Sequence, residues 1–205
     1  MKKTPAVFAT VLALSGCGSH TAPQGHDKTP ASAEQPEAGQ AVSPRISDPE
    51  IGASYIVPKG YHRGKAEPSR VVLVLDGSPE VSISLRRLSK DVPDDAPFAT
   101  MDANQSAEYV AKMLPKDERD VVLLRASWGD EDFPAAAVAV TAPVAAQSAD
   151  AAGGPKRSLT YAAFLGKGEH KWMVRTSAEE FPDGVTPESL SSISEAFARS
   201  VKPLG

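Results

Sequence analysis

Few side chains in this sequence have the residue type and spacing that catalysis or metal binding needs. Cys17 is the only thiol among the 205 residues, so the chain cannot form an intrachain disulfide. His62 and His170 have no neighbouring ligand pattern, and we predict that both are surface side chains. Neither a Gly-x-Ser-x-Gly elbow nor a His-Glu-x-x-His motif occurs. The sequence therefore predicts no catalytic, cofactor-binding or metal-binding residue.

Two acidic clusters, Asp94-Asp95 and Asp130-Glu131-Asp132, lack the spaced oxygens, the glycine and the distal acid of a calcium loop. We predict that both are solvated loops. The stretch Gly60–Lys65 resembles a phosphate-binding loop only superficially, because three residues and not four separate its glycines. We predict a turn between strands, with Arg63 and Lys65 in solvent.

Trp128 and Trp172 could line a binding groove, but aromatic side chains in a sheet belong more often to the core. Trp128 is the better candidate for exposure, because it precedes the acidic turn Gly129–Asp132.

The composition restricts the class of protein. Hydrophobic residues make up 41% of the chain and the formal net charge is −4, values that are ordinary for a globular protein with polar appendages. This balance disfavours a multi-span membrane protein, and it disfavours a nucleic-acid binder that relies on a basic face.

The N-terminus carries the most specific pattern. Lys2 and Lys3 precede a short apolar run, Ala6–Leu14, which is well below the roughly 20 residues that span a bilayer. The sequence Leu14-Ser15-Gly16-Cys17 that follows resembles the lipobox of bacterial lipoproteins. This resemblance implies a signal peptide over residues 1–16, lipid attachment at Cys17, and a protein held by acyl chains on the extracytoplasmic side of the cell membrane.

Residues 17–48 are rich in Pro, Ala, Ser and Gly, and we predict a lipidated cysteine followed by a disordered tether. His20 and His26 lie in this tether without a Cys/His-rich tract around them, so a metal site there is not expected. Residues 49–205 have the length of one globular domain.

Apolar periodicity in residues 49–205 predicts seven strands and two helices. The first helix covers Met101–Leu114, with Asp102 and Gln105 as a capping box and with Ala107, Val110, Met113 and Leu114 on its buried face. The second has Thr186 as its N-cap and Pro187 as its first residue, and it buries a stripe of Leu190, Ile193, Phe197 and Val201. The predicted strands are Ile51–Val57, Val71–Leu75, Val81–Leu88, Asp120–Ser127, Ala135–Ala142, Ser158–Leu165 and Trp172–Ser177.

Three short motifs resemble PsbP/Mog1-like domains: Tyr55–Tyr61, the arginine-bearing strand Val81–Leu88 with the helix around Tyr109, and Ile193–Phe197. Together with the lipobox and the tether, the pattern is similar to the LpqN-type lipoproteins of actinobacteria. The resemblance implies an α+β fold, an α/β/α sandwich on a largely antiparallel sheet.

The family resemblance implies mostly non-catalytic roles, and it supplies no catalytic motif to carry over. The leading functional hypothesis is therefore a cell-envelope lipoprotein whose domain acts as a non-catalytic protein-binding or scaffold module. The alternative is a carrier of a small apolar or lipid-like ligand in a cleft of the domain. A hydrolase whose Ser, His and Asp meet only in space ranks third. The expected partners are the membrane, through the lipid, and an envelope protein or apolar ligand.

Overall fold

The computed structural model of the chain describes residues 43–65, 67, 69–114, 121–144 and 157–205. Its helices are a 3₁₀ helix at Pro93–Asp95, α1 at Ala96–Ala99, α2 at Ala103–Met113 and α3 at Pro187–Ser200. Its strands are β1 (Arg45–Asp48), β2 (Ala53–Ile56), β3 (Tyr61–Arg63), β4 (Arg70–Leu75), β5 (Ser78–Arg87), β6 (Val121–Trp128), β7 (Ala135–Pro143), β8 (Arg157–Lys167), β9 (His170–Ala178) and β10 (Lys202–Pro203).

Seven strands form one sheet in the order β3-β4-β5-β9-β8-β7-β6, and every neighbouring pair is antiparallel. A second, three-stranded sheet has the order β1-β2-β10. Helix α3 and the small sheet pack on one face of the large sheet, and α2 packs on the other. The predicted α+β sandwich on a largely antiparallel sheet is thus confirmed.

The face under α3 holds the main core. The largest buried side chains there are Tyr55, Tyr161, Trp172 and Phe197, each no more than 1% exposed. The rings of Tyr55 and Phe197 meet edge to face with centroids 5.7 Å apart, and the Trp172 indole N–H donates to the carbonyl oxygen of Ile51 at 2.9 Å. These contacts join β2 to α3 and the segment before β2 to β9, and they confirm that Trp172 is a core residue.

Local signals explain where the helices begin. Asp102 accepts from the backbone N–H of Gln105 at 2.8 Å, and Gln105 accepts from the backbone N–H of Asp102 at 3.0 Å. Thr186 and Ser189 form the same reciprocal pair at the start of α3. The predicted caps at Asp102 and Thr186 and the burial of Phe197 are confirmed, whereas the first helix begins at Ala103, after the predicted Met101.

The hairpin between β4 and β5 turns at Asp76-Gly77, where Gly77 has φ of 78°. A two-residue connection with a positive φ matches the twist of antiparallel strands. The residues Asp76-Gly77-Ser78-Pro79 are a turn signal in the sequence, and the chain turns there.

The predicted boundary between tether and domain at residue 48 is wrong by at least four residues. Residues 45–48 form β1, which pairs with β2 along its whole length. Asp48 is buried and accepts from the Arg63 guanidinium at 2.6 Å, and Arg45 donates to the Ser200 carbonyl oxygen at 2.7 Å. A polar four-residue strand has no apolar periodicity, so the sequence offers no signal for it.

Among the described residues, no helix combines the length and apolar character that crossing a membrane requires.

Candidate functional site

The face of the large sheet opposite α3 is only partly covered. Helix α2 packs on β7 and β8, and the 3₁₀ helix and α1 form a wall at the end of β5. Between these helices and the strands lies a cleft of about 620 Å³ that is open to solvent, which we call the open groove. Its principal lining residues are Arg70, Arg86, Arg175, Phe98, Tyr109 and Met173.

Strand register orders the floor of the open groove. Arg70 lies opposite Arg86, Arg86 opposite Met173, and Met173 opposite Phe164. In the next row, Ser84 lies opposite Arg175 and Arg175 opposite Ala162. Each row therefore runs from a charged or hydroxyl side chain on β5 to an apolar side chain on β8.

Strand β4 shows that this side of the floor is uncovered. Val71 and Leu73 are buried on the α3 face, but Val72 and Val74, on the groove face, are only half-buried. The continuous apolar run Val71–Leu75 predicts a strand covered on both faces, and that prediction is wrong. The missing cover is what leaves the groove open.

The three arginines of the groove differ in their partners. Arg70 contacts Glu67 at 3.2 Å on the surface, and Arg86 forms an ion pair with buried Asp95. Arg175 is exposed and forms no ion pair with any of the described residues. A guanidinium presents five N–H donors in a planar fork that matches a carboxylate. Arg175 is thus the groove's available cation.

Charged side chains of the large sheet hold the wall formed by the 3₁₀ helix and α1 in place. Asp95 is 1% exposed; one carboxylate oxygen faces Arg86 and the other accepts from the backbone N–H of Ser89 at 3.1 Å. The Lys171 ammonium donates to the carbonyl oxygens of Phe98, at 3.3 Å, and Met101. Burial lowers the pKa of Lys171, and the nearby Asp102 carboxylate partly opposes that shift. The acidic cluster Asp94-Asp95 is therefore not a solvated loop as predicted, because Asp95 is a buried anchor of the wall.

Aromatic rings form the apolar end of the groove. The Phe98 ring lies 4.9 Å from that of Phe164 and 5.7 Å from that of Tyr109, measured between centroids. Met113, at the mouth, is 69% exposed. The prediction that Met113 lies on the buried face of the helix is wrong, since it is the last residue of α2 and its side chain is exposed.

The two histidines are not brought together with a nucleophile in the open groove. His62 lies on β3, exposed, with its Nδ1 2.6 Å from Asp76 Oδ1. His170 is exposed at the hairpin between β8 and β9, where its ring stacks 6.3 Å from that of Trp172. Both are surface side chains, as predicted. In the part of the chain that the structure describes, no group of three or more His, Cys, Asp and Glu residues could hold a metal ion.

The stretch Gly60–Lys65 is not simply a turn. Tyr61–Arg63 forms β3, and Arg63 pairs with buried Asp48 where we predicted a solvated side chain. The long-range partner could not be found from the spacing of neighbouring residues.

The loop Asp130–Asp132 matches its prediction. Asp130 accepts from the backbone N–H groups of Asp132 and Phe133, and Asp132 reaches Lys167 in solvent at 3.3 Å. Trp128 is half-buried, with the Arg199 guanidinium 4.5 Å from its ring centroid. It packs against the main core and lies on the face away from the open groove's arginines.

Cys17, the signal over residues 1–16 and the histidines of the tether lie outside the described residues, so these assignments stay predictions. The groove residues were not singled out from the sequence. Their signal is the period-two pattern that places Arg86 and Arg175 on the non-core side of two strands. Only the topology shows that those strands are neighbours.

No family model matches the chain, and no curated protein does. Among solved structures, the Saccharomyces cerevisiae Ran-binding protein Mog1p is similar at 8% identity and a TM-score of 0.48, over 78% of this chain and 95% of that one. The cyanobacterial PsbP (CyanoP) of Synechocystis is similar at 14% identity and a TM-score of 0.46, over 83% and 98%. A Bacteroides thetaiotaomicron protein is similar at 7% identity and a TM-score of 0.42, over 79% of this chain and 48% of that one. Two of these three solved structures are thus a Mog1 and a PsbP protein.

Proposed function

We propose that this protein is a membrane-anchored cell-envelope lipoprotein whose domain is a non-catalytic binding module, and that the open groove is where it holds an envelope protein. The observation that carries the proposal is the uncovered part of the sheet, where arginines, hydroxyl groups and apolar side chains share one cleft.

The lining of the groove suits binding. Guanidinium and hydroxyl groups hold a partner by directed hydrogen bonds, and the rings of Phe98 and Tyr109 offer apolar area on a fixed wall. Arginine and aromatic side chains are the types enriched at energetically important positions of protein interfaces.

The anchor is supported by the sequence alone. Lys2, Lys3, the short apolar run and the small residues before Cys17 form a complete lipobox context. We expect Cys17→Ala to abolish incorporation of a fatty-acid analogue and to move the full chain from the membrane to the soluble fraction. Unchanged membrane partitioning of the variant would contradict the anchor.

Photo-crosslinking tests the groove in intact cells. A photoreactive amino acid at Met113, which is exposed at the mouth, should give a discrete protein adduct with the full-length chain. The matched control carries the same amino acid at Glu188, which is exposed in the first turn of α3 on the opposite face. Equal adducts from both positions, or none from Met113, would contradict the groove as the binding site.

A carrier function is the second candidate. The volume of about 620 Å³ lies within the range of small-molecule sites, which is roughly 300–1,000 Å³. The mixed lining and the missing wall over β4 and β5 favour the binding module. A lipid-sized mass on the Met113 adduct would support the carrier instead.

A further inference from the structure

We propose that the open groove recognises an acidic, amphipathic segment of a protein, with a carboxylate on Arg175 and a large apolar side chain against Phe98 and Met173. This inference rests on the proposed binding function and names the chemistry of the partner.

Arg175 supplies the charge requirement. It lies on β9, a central strand, between Ser84 of β5 and Ala162 of β8. Arg70 and Arg86 already face Glu67 and Asp95, whereas Arg175 has no ion-pair partner among the described residues. A carboxylate of the partner could therefore bind the Arg175 guanidinium, which is held on a central strand, without displacing an Asp or Glu of this chain.

The apolar side chain that the partner must contact lies on the same strand as Arg175. Met173 is two residues from Arg175 on the same strand and on the same face, so the two Cα atoms are about 6.8 Å apart. Phe98 closes that end, and its ring is braced against Phe164. An acid and an apolar residue spaced i, i+2 in an extended segment, or i, i+3 or i+4 on a helix, span the same interval.

The open side of the groove favours a protein segment over a small amphiphile. Small-molecule sites enclose about 70–90% of the ligand surface. Here α2, α1 and the 3₁₀ helix provide cover on one side, while Val72 and Val74 remain half-buried on the other. A protein segment can bury the exposed side of the groove as well, because the rest of the partner protein would lie over the uncovered strands.

The experiment selects 12-residue peptides from an unbiased display library on the full chain with Cys17→Ala, and repeats the selection on two charge reversals. Arg175→Glu removes the groove cation. Arg125→Glu makes the same change on the same face of the sheet, on β6 beyond α2, at an exposed position. Both are surface substitutions, and circular dichroism confirms that each variant is folded before selection.

We expect the parent and Arg125→Glu to enrich peptides that combine Asp or Glu with a large apolar residue at one of the stated spacings. Arg175→Glu should bind those peptides at least tenfold more weakly and should enrich peptides with Lys or Arg in place of the acid. Arg175→Lys should keep the acidic preference with weaker binding, because it retains the charge but loses the fork.

Peptides that lack an acid, or that bind Arg175→Glu as well as the parent, would overturn the proposal. The absence of any enriched peptide would also overturn it. In that case, binding of decanoate with perturbed NMR signals at Met173 and Phe98 would assign the groove to a small amphiphile. The Met113 adduct remains an independent measure, so failure of this inference is distinguishable from failure of the proposed function.

Discussion

The two faces of the seven-stranded sheet are built in opposite ways. Under α3 and the small sheet, large side chains such as Tyr161, Trp172 and Phe197 are buried. Under α2, four of the eight buried apolar side chains among the described residues are alanines, and Phe164 is the one ring in that group. We call these the closed face and the helix-2 face.

This difference separates stability from recognition. Burial of apolar area is the main favourable term in folding, and most of the large buried side chains lie on the closed face. The helix-2 face has fewer of them and leaves arginines and rings accessible. Substitutions in the open groove should therefore change binding more than folding.

The largest expected effect compares one phenylalanine on each face. Phe197→Ala should reduce the free energy of unfolding by about 3–5 kcal/mol, because it removes a buried ring that packs on Tyr55. Phe98→Ala removes a half-buried ring and should cost about 1 kcal/mol. Urea unfolding of the purified protein measures both, and equal losses would refute the division between the faces.

The second effect tests β1 as a part of the closed face. A chain beginning at Pro44 should unfold like the parent, whereas one beginning at Pro49 should lose about 3 kcal/mol, because it lacks β1, its pairing with β2 and the contacts of Arg45 and Asp48. Thermal melting of the two chains decides the matter. Identical melting would restore the original boundary at residue 48.

A smaller effect of opposite sign concerns Tyr161, whose buried hydroxyl has no hydrogen-bond partner among the described residues. Tyr161→Phe should stabilise the protein by about 1 kcal/mol. Burial raises the pKa of Tyr161 above its ordinary value of 10.0. The folded state then binds the proton more tightly than the unfolded state, so stability of the parent falls as the pH rises above 10.

Tyr161→Phe removes that loss, so its advantage should widen above pH 10. Urea midpoints at pH 7 and pH 10.5 measure the change. If the variant is less stable than the parent at pH 7, the Tyr161 hydroxyl forms a hydrogen bond in the folded protein, and the argument for an unpaired polar group on the closed face fails.

The smallest effect is expected at Met113, on the mouth of the open groove. Met113→Gln should change the free energy of unfolding by less than about 0.5 kcal/mol, because the side chain is 69% exposed. Differential scanning calorimetry is sufficient to check this. A loss comparable to that of Phe98→Ala would show that the helix-2 face contributes more to stability than its exposed side chains indicate.

The parts of the fold that could be predicted have local causes. Helix starts follow from capping pairs such as Thr186 with Ser189, and the central strands follow from alternation such as Val81, Ile83 and Leu85. The buried stripe of α3 needs only helical spacing. In each case the residues that decide the structure are within a few positions of one another.

The parts that could not be predicted depend on distant partners. Strands β1, β3 and β10 have two to four residues each and are mostly polar, so neither periodicity nor composition marks them. The helical turns over residues 93–99 have the same problem, since buried Asp95 pairs with Arg86 of β5 and the spacing of neighbouring residues does not indicate that partner.

The candidate site was predictable only in its ingredients. Alternation places Arg86 and Arg175 on the non-core side of their strands, but neither residue indicates what covers that side. The order β4-β5-β9-β8 and the position of α2 determine which part of the face stays open. These are properties of pairing between strands up to about a hundred residues apart, for which the sequence offers no spacing rule.

The small sheet also determines how the protein responds to mechanical tension. A pull on the chain ahead of β1 reaches Arg45 first, at the end of the β1–β2 pair where Arg45 lies opposite Ile56. The hydrogen bonds run perpendicular to the strands, so a pull directed away from β2 would break them one at a time, whereas a pull along β1 would load them together. The Arg45 guanidinium joins this end to the carbonyl oxygens of Ser54 and Ser200, so opening requires detachment from α3 as well. A pull from the N-terminal side therefore acts first on contacts of the closed face, and the arginines of the open groove lie on the other face of the large sheet.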